Sequence, residues 1–239
     1  MRAIVACRNQ CFVIPVVDNN GNILPLSVLE NFLRECEERA KHATNQLELG
    51  WLTTSNRDDW AHAHRELLRI GGPKMECALE LLESGMLVLC LDDEEPVSYR
   101  QRALEYWHGG MRSGGNRWFD KSIQLVISRN GKLGYVGEHS MMDGMPAVRL
   151  CEHLKSQSYE KQSASQSDTS SVSLTVGIVN LFEEACSNLT ESDRSQLKAL
   201  VRKGKSKRKH PRSIRYSLKV ISKLPHCIVS KERFRKTGG

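Results

Sequence analysis

Hydrophobic and polar positions change period several times along the chain, and each change marks an element. Apolar runs at 4–6 and 11–17 read as strands, with Asn19-Asn20-Gly21 supplying turn chemistry after the second. Leu26, Leu29, Phe32, Leu33 and Cys36 then recur at helical spacing. Ser27-Val28-Leu29-Glu30 has the form of a capping box at the start of that helix, since the Ser oxygen and the Glu side chain can satisfy each other's free amides. A second helix is predicted over 58–70, stopped by Gly71-Gly72-Pro73, and a third over 75–83, stopped by Ser84-Gly85.

The unbroken apolar run 86–91 is short enough for a strand buried on both faces, which calls for helices above and below a sheet. Ile123, Leu125 and Ile127 alternate with polar residues, and Asn130-Gly131 follows, the pair favoured in a type I′ hairpin turn. The partner strand is expected over 133–138. Gly144 then permits a sharp turn, and Pro146 suits the first turn of a helix continued by Val148, Leu150, Cys151 and Leu154. Helical patterns resume over 178–186 and, after Thr190-x-x-Asp193, over 191–201. Strands alternating with helices make this an α/β layout.

Composition adds the following. No run of about 18 apolar residues occurs, so no membrane span is expected. The first residues are too short an apolar run for a secretory signal, and a soluble, intracellular chain is expected. Eight cysteines are scattered without paired C-x-x-C spacing; Cys7, Cys77, Cys90 and Cys151 sit among apolar neighbours and read as reduced core thiols, with no metal site expected. The net charge of +7 is concentrated after Lys198, where Glu232 is the only acid, so the part before it is net acidic. Residues 203–212 are dense enough in Lys and Arg to attract anionic surfaces or nucleic acid. Stacking aromatics are sparse there, and no nucleic-acid partner is expected.

The candidate chemistry lies in Glu138-His139-Ser140-Met141-Met142-Asp143-Gly144, where His139 and Asp143 are four apart between a strand and a helix. A neutral imidazole can take a proton from a hydroxyl or thiol at neutral pH when a partner fixes its tautomer. Asp143 or a backbone carbonyl could do so. By spacing alone, His139 could equally be an ordinary hydrogen-bonded strand residue and Asp143 a helix cap.

This block, together with Asn116-Arg117-Trp118-Phe119-Asp120-Lys121, closely resembles the carnitine/choline acyltransferase family, most of all its fungal carnitine O-acetyltransferase members. Cys7-Arg8-Asn9-Gln10, Leu52 to Trp60 and Cys90-Leu91-Asp92-Asp93 appear in the family's order and spacing. The resemblance implies a mixed sheet flanked by helices, here as an N-terminal catalytic-domain fragment lacking most of the second domain. It implies His139 as general base for moving a short acyl group between coenzyme A and the carnitine hydroxyl. It implies Asp143 as an anchor of the His loop and residues 116–120 as braces behind the site. Coenzyme A or acetyl-CoA would be a cosubstrate and carnitine the acceptor, with no permanently bound cofactor and a monomeric chain. A mitochondrial or peroxisomal location is implied, although no targeting signal is readable.

The expected organisation is 1–155 partial catalytic domain, 156–173 Ser/Gln-rich linker, 174–205 helical segment faintly similar to the family, and 206–239 basic tail without a family match, read as an accessory extension. A contrasting reading is a non-catalytic fragment whose tail binds nucleic acid or anionic surfaces.

Overall fold

The computed structural model describes residues 1–44, 47–108, 113–138, 143–159, 177–207 and 228–231. Its architecture is α/β. Strands β1 (Arg2–Cys7), β2 (Gln10–Pro15), β3 (Val88–Asp92), β4 (Gln124–Ser128), β5 (Leu133–Glu138), β6 (Val179–Asn180) and β7 (Ile228–Lys231) form one mixed sheet in the order β6-β2-β1-β3-β4-β5-β7. β1, β3 and β4 are parallel neighbours, whereas β5 returns antiparallel to β4. The helices are α1 (Leu26–His42), α2 (Arg57–Ser84), α3 (Tyr99–His108), α4 (Gly144–Tyr159), α5 (Leu181–Ala185) and α6 (Glu191–Lys207).

Two apolar clusters sandwich the sheet. One joins Ile4, Val13, Val88, Cys90, Val126 and Val136 to helices α2, α5 and α6, and the other joins Val5, Phe12 and Ile14 to α1. The Gly71-Gly72-Pro73 stop is present as a sharp corner inside α2, where Gly72 adopts φ 60°, ψ −155°, a conformation open essentially only to glycine. Pro146 falls in the first turn of α4, and Thr190 and Asp193 cap α6 reciprocally, with Thr190 Oγ1 accepting the Asp193 N–H at 3.2 Å.

Other local expectations are corrected. α1 begins at Leu26, one residue before Ser27, so Ser27 lies inside the helix and no side chain caps it. The reciprocal box forms instead ahead of α3, a helix the periodicity did not announce. There the Ser98 hydroxyl accepts the Gln101 backbone N–H at 3.1 Å and the Gln101 side-chain Oε1 accepts the Ser98 N–H at 3.0 Å.

The hairpin after β4 is not type I′. Only Gly131 has positive φ (73°), and the Ser128 N–H donates to Lys132 O at 2.9 Å, giving a three-residue loop with glycine in the left-handed position. The positive pair is Arg8-Asn9 (φ 49° and 63°), joining β1 to β2 in two residues. α4 continues to Tyr159, beyond the expected linker start at 156. Cys77 is exposed, whereas Cys7, Cys11, Cys36, Cys90 and Cys186 are buried. β3 is buried on one face and half-buried on the other rather than covered on both. β7 lies within the basic stretch and pairs in parallel with β5, so residues 228–231 contribute a strand to the sheet.

Candidate functional site

β5 is the strand that leads into the candidate site. Its inner positions need glycine: a Cβ on Gly134 would lie 2.2 Å from the Tyr106 ring, and one on Gly137 would lie 2.7 Å from the Tyr135 hydroxyl. Tyr106 is itself fixed from both sides of the hairpin, by Ser128 Oγ at 3.0 Å and Lys132 O at 3.1 Å. Tyr135 donates to Ser122 O at 3.4 Å, and burial, then the neighbouring Cys151, pushes its phenol up. The strand ends at Glu138, which is buried.

His139 follows by one peptide bond and lies outside the described residues, as do residues 140–142. The described chain resumes at Asp143, exposed at the start of α4, where its Oδ1 accepts the Gly144 N–H at 2.7 Å. That is the contact of a helix-start carboxylate, which relieves one of the free amides of the first turn. Because β5 is antiparallel to β4, its carboxyl end sits at the edge where β1, β3 and β4 begin. The end of β5, which leads into the candidate block, is thus on the opposite edge from the carboxyl ends of the parallel strands, where α/β sheets usually bind ligands.

Residues 116–121 form a brace across the sheet. Arg117 holds Asp92 through two bonds, Nη1 to Oδ1 at 2.7 Å and Nη2 to Oδ2 at 2.5 Å, and both side chains are almost fully buried. Burial works against the Arg117 charge, but the Asp92 carboxylate outweighs it and holds the guanidinium above its ordinary pKa. Asn116 donates to Leu91 O at 2.8 Å and Asp92 Oδ1 at 3.0 Å while its own oxygen accepts the Asn9 N–H at 3.2 Å. The brace therefore ties the ends of β1 and β3 to the loop before β4.

Trp118 stacks on Phe182 with centroids 5.8 Å apart and meets Trp60 edge-on at 5.5 Å. Asp120 accepts the Trp60 indole N–H at 2.8 Å and pairs with Arg57. Lys121 donates to the carbonyls of Leu82 and Glu83, closing the end of α2. These residues pack and bond inward, as braces do. Sequence spacing does not by itself join Arg117 to Asp92, 25 residues away. The signal for the pair is a carboxylate at the end of an apolar strand run, which requires a buried partner.

Among the described residues, no group of three or more His, Cys, Asp or Glu side chains is placed to hold a metal. No described helix is long and apolar enough to cross a membrane.

Comparison with known proteins adds the remaining finding. Residues 2–209 match the family described as Choline/Carnitine o-acyltransferase. Human choline O-acetyltransferase is 37% identical over 156 residues, covering 63% of this chain and 20% of the relative. The rat protein of the same name is 38% identical over 156 residues, covering 63% and 24%. Mitochondrial carnitine O-acetyltransferase of Saccharomyces cerevisiae is 39% identical over 103 residues, covering 43% of this chain and 15% of the relative. The chain thus spans less than a quarter of the length of these relatives.

Proposed function

The chain belongs to the choline/carnitine O-acyltransferase family, and on that premise we propose that it supplies the general base of a reversible acyl transfer between coenzyme A and the hydroxyl of carnitine. His139 is that base. Its imidazole takes the hydroxyl proton as the oxygen attacks the thioester carbonyl carbon; the carbon–sulfur bond then breaks, and the departing thiolate takes the proton from the imidazolium. Protons and electrons balance on one residue, and no acyl-enzyme is required. Asp143 anchors the loop that carries His139, and residues 116–120 hold the sheet behind it. The observation that carries this reading is the block Glu138 to Gly144 lying within the matched region, with His139 one peptide bond beyond the end of a buried strand.

A second reading has choline as the acceptor. It is favoured by the length of the match, which for choline O-acetyltransferases covers 63% of the chain against 43% for the yeast carnitine protein. The two acceptors differ in a carboxylate, so paired assays with acetyl-CoA and either alcohol separate them.

The test is thiol release from acetyl-CoA by a polypeptide joining this chain to a family second domain. His139→Ala is expected to lower turnover by about 10² to 10⁴-fold, the usual contribution of a general base. Near-normal turnover by that variant would remove His139 from the role. The 239-residue chain alone serves as the control and is expected to be inactive, because the resemblance assigns the oxyanion donors and coenzyme A contacts mainly to the second domain.

A further inference from the structure

α6 lies beside α2 and runs antiparallel to it. Arg69 Nη2 donates to Gln196 Oε1 at 3.1 Å, and an earlier turn of α2 meets a later turn of α6 where His62 and Lys203 flank one small cleft. Leu197 and Val201 are buried, and a Cβ on Gly204 would come within 3.2 Å of Trp51 O, so this side of α6 is tightly seated. The opposite side carries Lys198, Arg202 and Lys203, all exposed, with the small residues Ser195 and Ala199 exposed among them. α2 adds the exposed Arg65.

These four cations are not committed to acids: none forms an ion pair among the described residues. α6 has no acid after Asp193, and Asp193 is occupied by the Thr190 hydroxyl at 2.6 Å. Of the acids at the seam between the helices, Glu66 is held by Arg69 through Nε at 3.0 Å and Nη2 at 2.8 Å, and Asp59 accepts the Asn56 amide at 2.9 Å. The same sign continues along the sequence, where residues 198–212 hold eight Lys and Arg and no Asp or Glu. Like charges gathered on one face repel one another, and an anionic surface relieves that repulsion as it is drawn in.

We propose that the solvent side of α6, with Arg65 of α2, binds the surface of a bilayer containing anionic phospholipids. Two helices side by side are about 20 Å across, a breadth that rests on a plane. The major groove of duplex DNA is about 12 Å wide and takes a single helix. A single strand would need aromatic side chains to stack on, and α6 has none. Lipid headgroups, being mobile, can gather beneath Lys198, Arg202 and Lys203, which stand within about 8 Å of one another along the helix axis. Each basic side chain near such a surface strengthens binding about fivefold. The contact is peripheral, since the apolar side of α6 is already buried in the core.

The test is co-sedimentation of the full 239-residue chain with vesicles of phosphatidylcholine and phosphatidylserine, against phosphatidylcholine vesicles and against duplex DNA at equal phosphate. Tightest binding to the mixed vesicles is expected, weakening as salt is added. Lys198→Gln with Arg202→Gln and Lys203→Gln should lower the affinity about 100-fold, about fivefold for each charge removed, with every basic residue beyond α6 left in place. Arg65→Gln should lower it about fivefold. Thermal unfolding checks that each variant is folded, and Arg65→Gln, on the neighbouring helix, keeps the test decisive if the triple variant is not. Equal binding to neutral vesicles, tighter binding to DNA, or undiminished affinity of the folded triple variant or of Arg65→Gln would overturn the proposal.

Discussion

The Arg117–Asp92 pair is the side-chain interaction with the most at stake. With both partners buried, removing one leaves an uncompensated charge in the core, which costs more than the pair itself contributes. Arg117→Met is expected to destabilise the chain by about 3–5 kcal/mol, read as a shift of the urea midpoint. Adding Asp92→Leu should restore much of the loss, because a well-packed apolar pair avoids the desolvation penalty. The buried thiols make a second prediction. Burial above all pushes Cys7, Cys36 and Cys90 up to about 12. A thiol with a raised folded pKa contributes stability that is complete below its unfolded value and disappears as pH climbs to the folded one. Stability should therefore fall between about pH 9 and 12, and Cys90→Ala should flatten that fall in denaturation curves taken across the range.

At the scale of elements, the β4–β5 hairpin sets the direction of the strand that precedes His139. Gly131 sits at φ 73° with nothing within 4 Å of a Cβ built there, so a side chain would meet no obstacle and only the backbone torsion would resist it. Gly131→Ala is expected to cost about 1–2 kcal/mol, measured by thermal unfolding, with no change in the packing of Tyr106. A loss near zero would mean that the loop relaxes to another turn. The capping boxes carry a related lesson. Ser27 to Glu30 and Ser98 to Gln101 have the same pattern, but only the second closes, because α1 starts at Leu26, ahead of Ser27, while Ser98 stands one residue before α3.

For the whole molecule, the sheet's outer strand is the decisive feature. β7 covers the free edge of β5, with Glu138 opposite Lys231. An uncovered edge presents unpaired backbone groups to other chains. Deleting residues 228–239 is thus expected to lower the unfolding midpoint and increase light scattering on heating. An unchanged transition would show that the tail is accessory, the role its composition suggested.

Much of this architecture is written in local sequence. Period-two alternation in 123–127, the Gly-Gly-Pro corner, the proline of α4 and the Thr190–Asp193 cap depend on sterics and bonds among near neighbours, which the sequence alone specifies. The motif order likewise revealed the family and nominated His139 and Asp143. Other features join residues far apart in the chain: Arg117 with Asp92, Asn9 with Asn116, β7 with β5, and the half-covered face of β3 and β4. Periodicity reports which side of an element is apolar but not what lies against it, so these pairings, and the place of the positive-φ turn at Arg8-Asn9, were decided only when the strands took their order in the sheet.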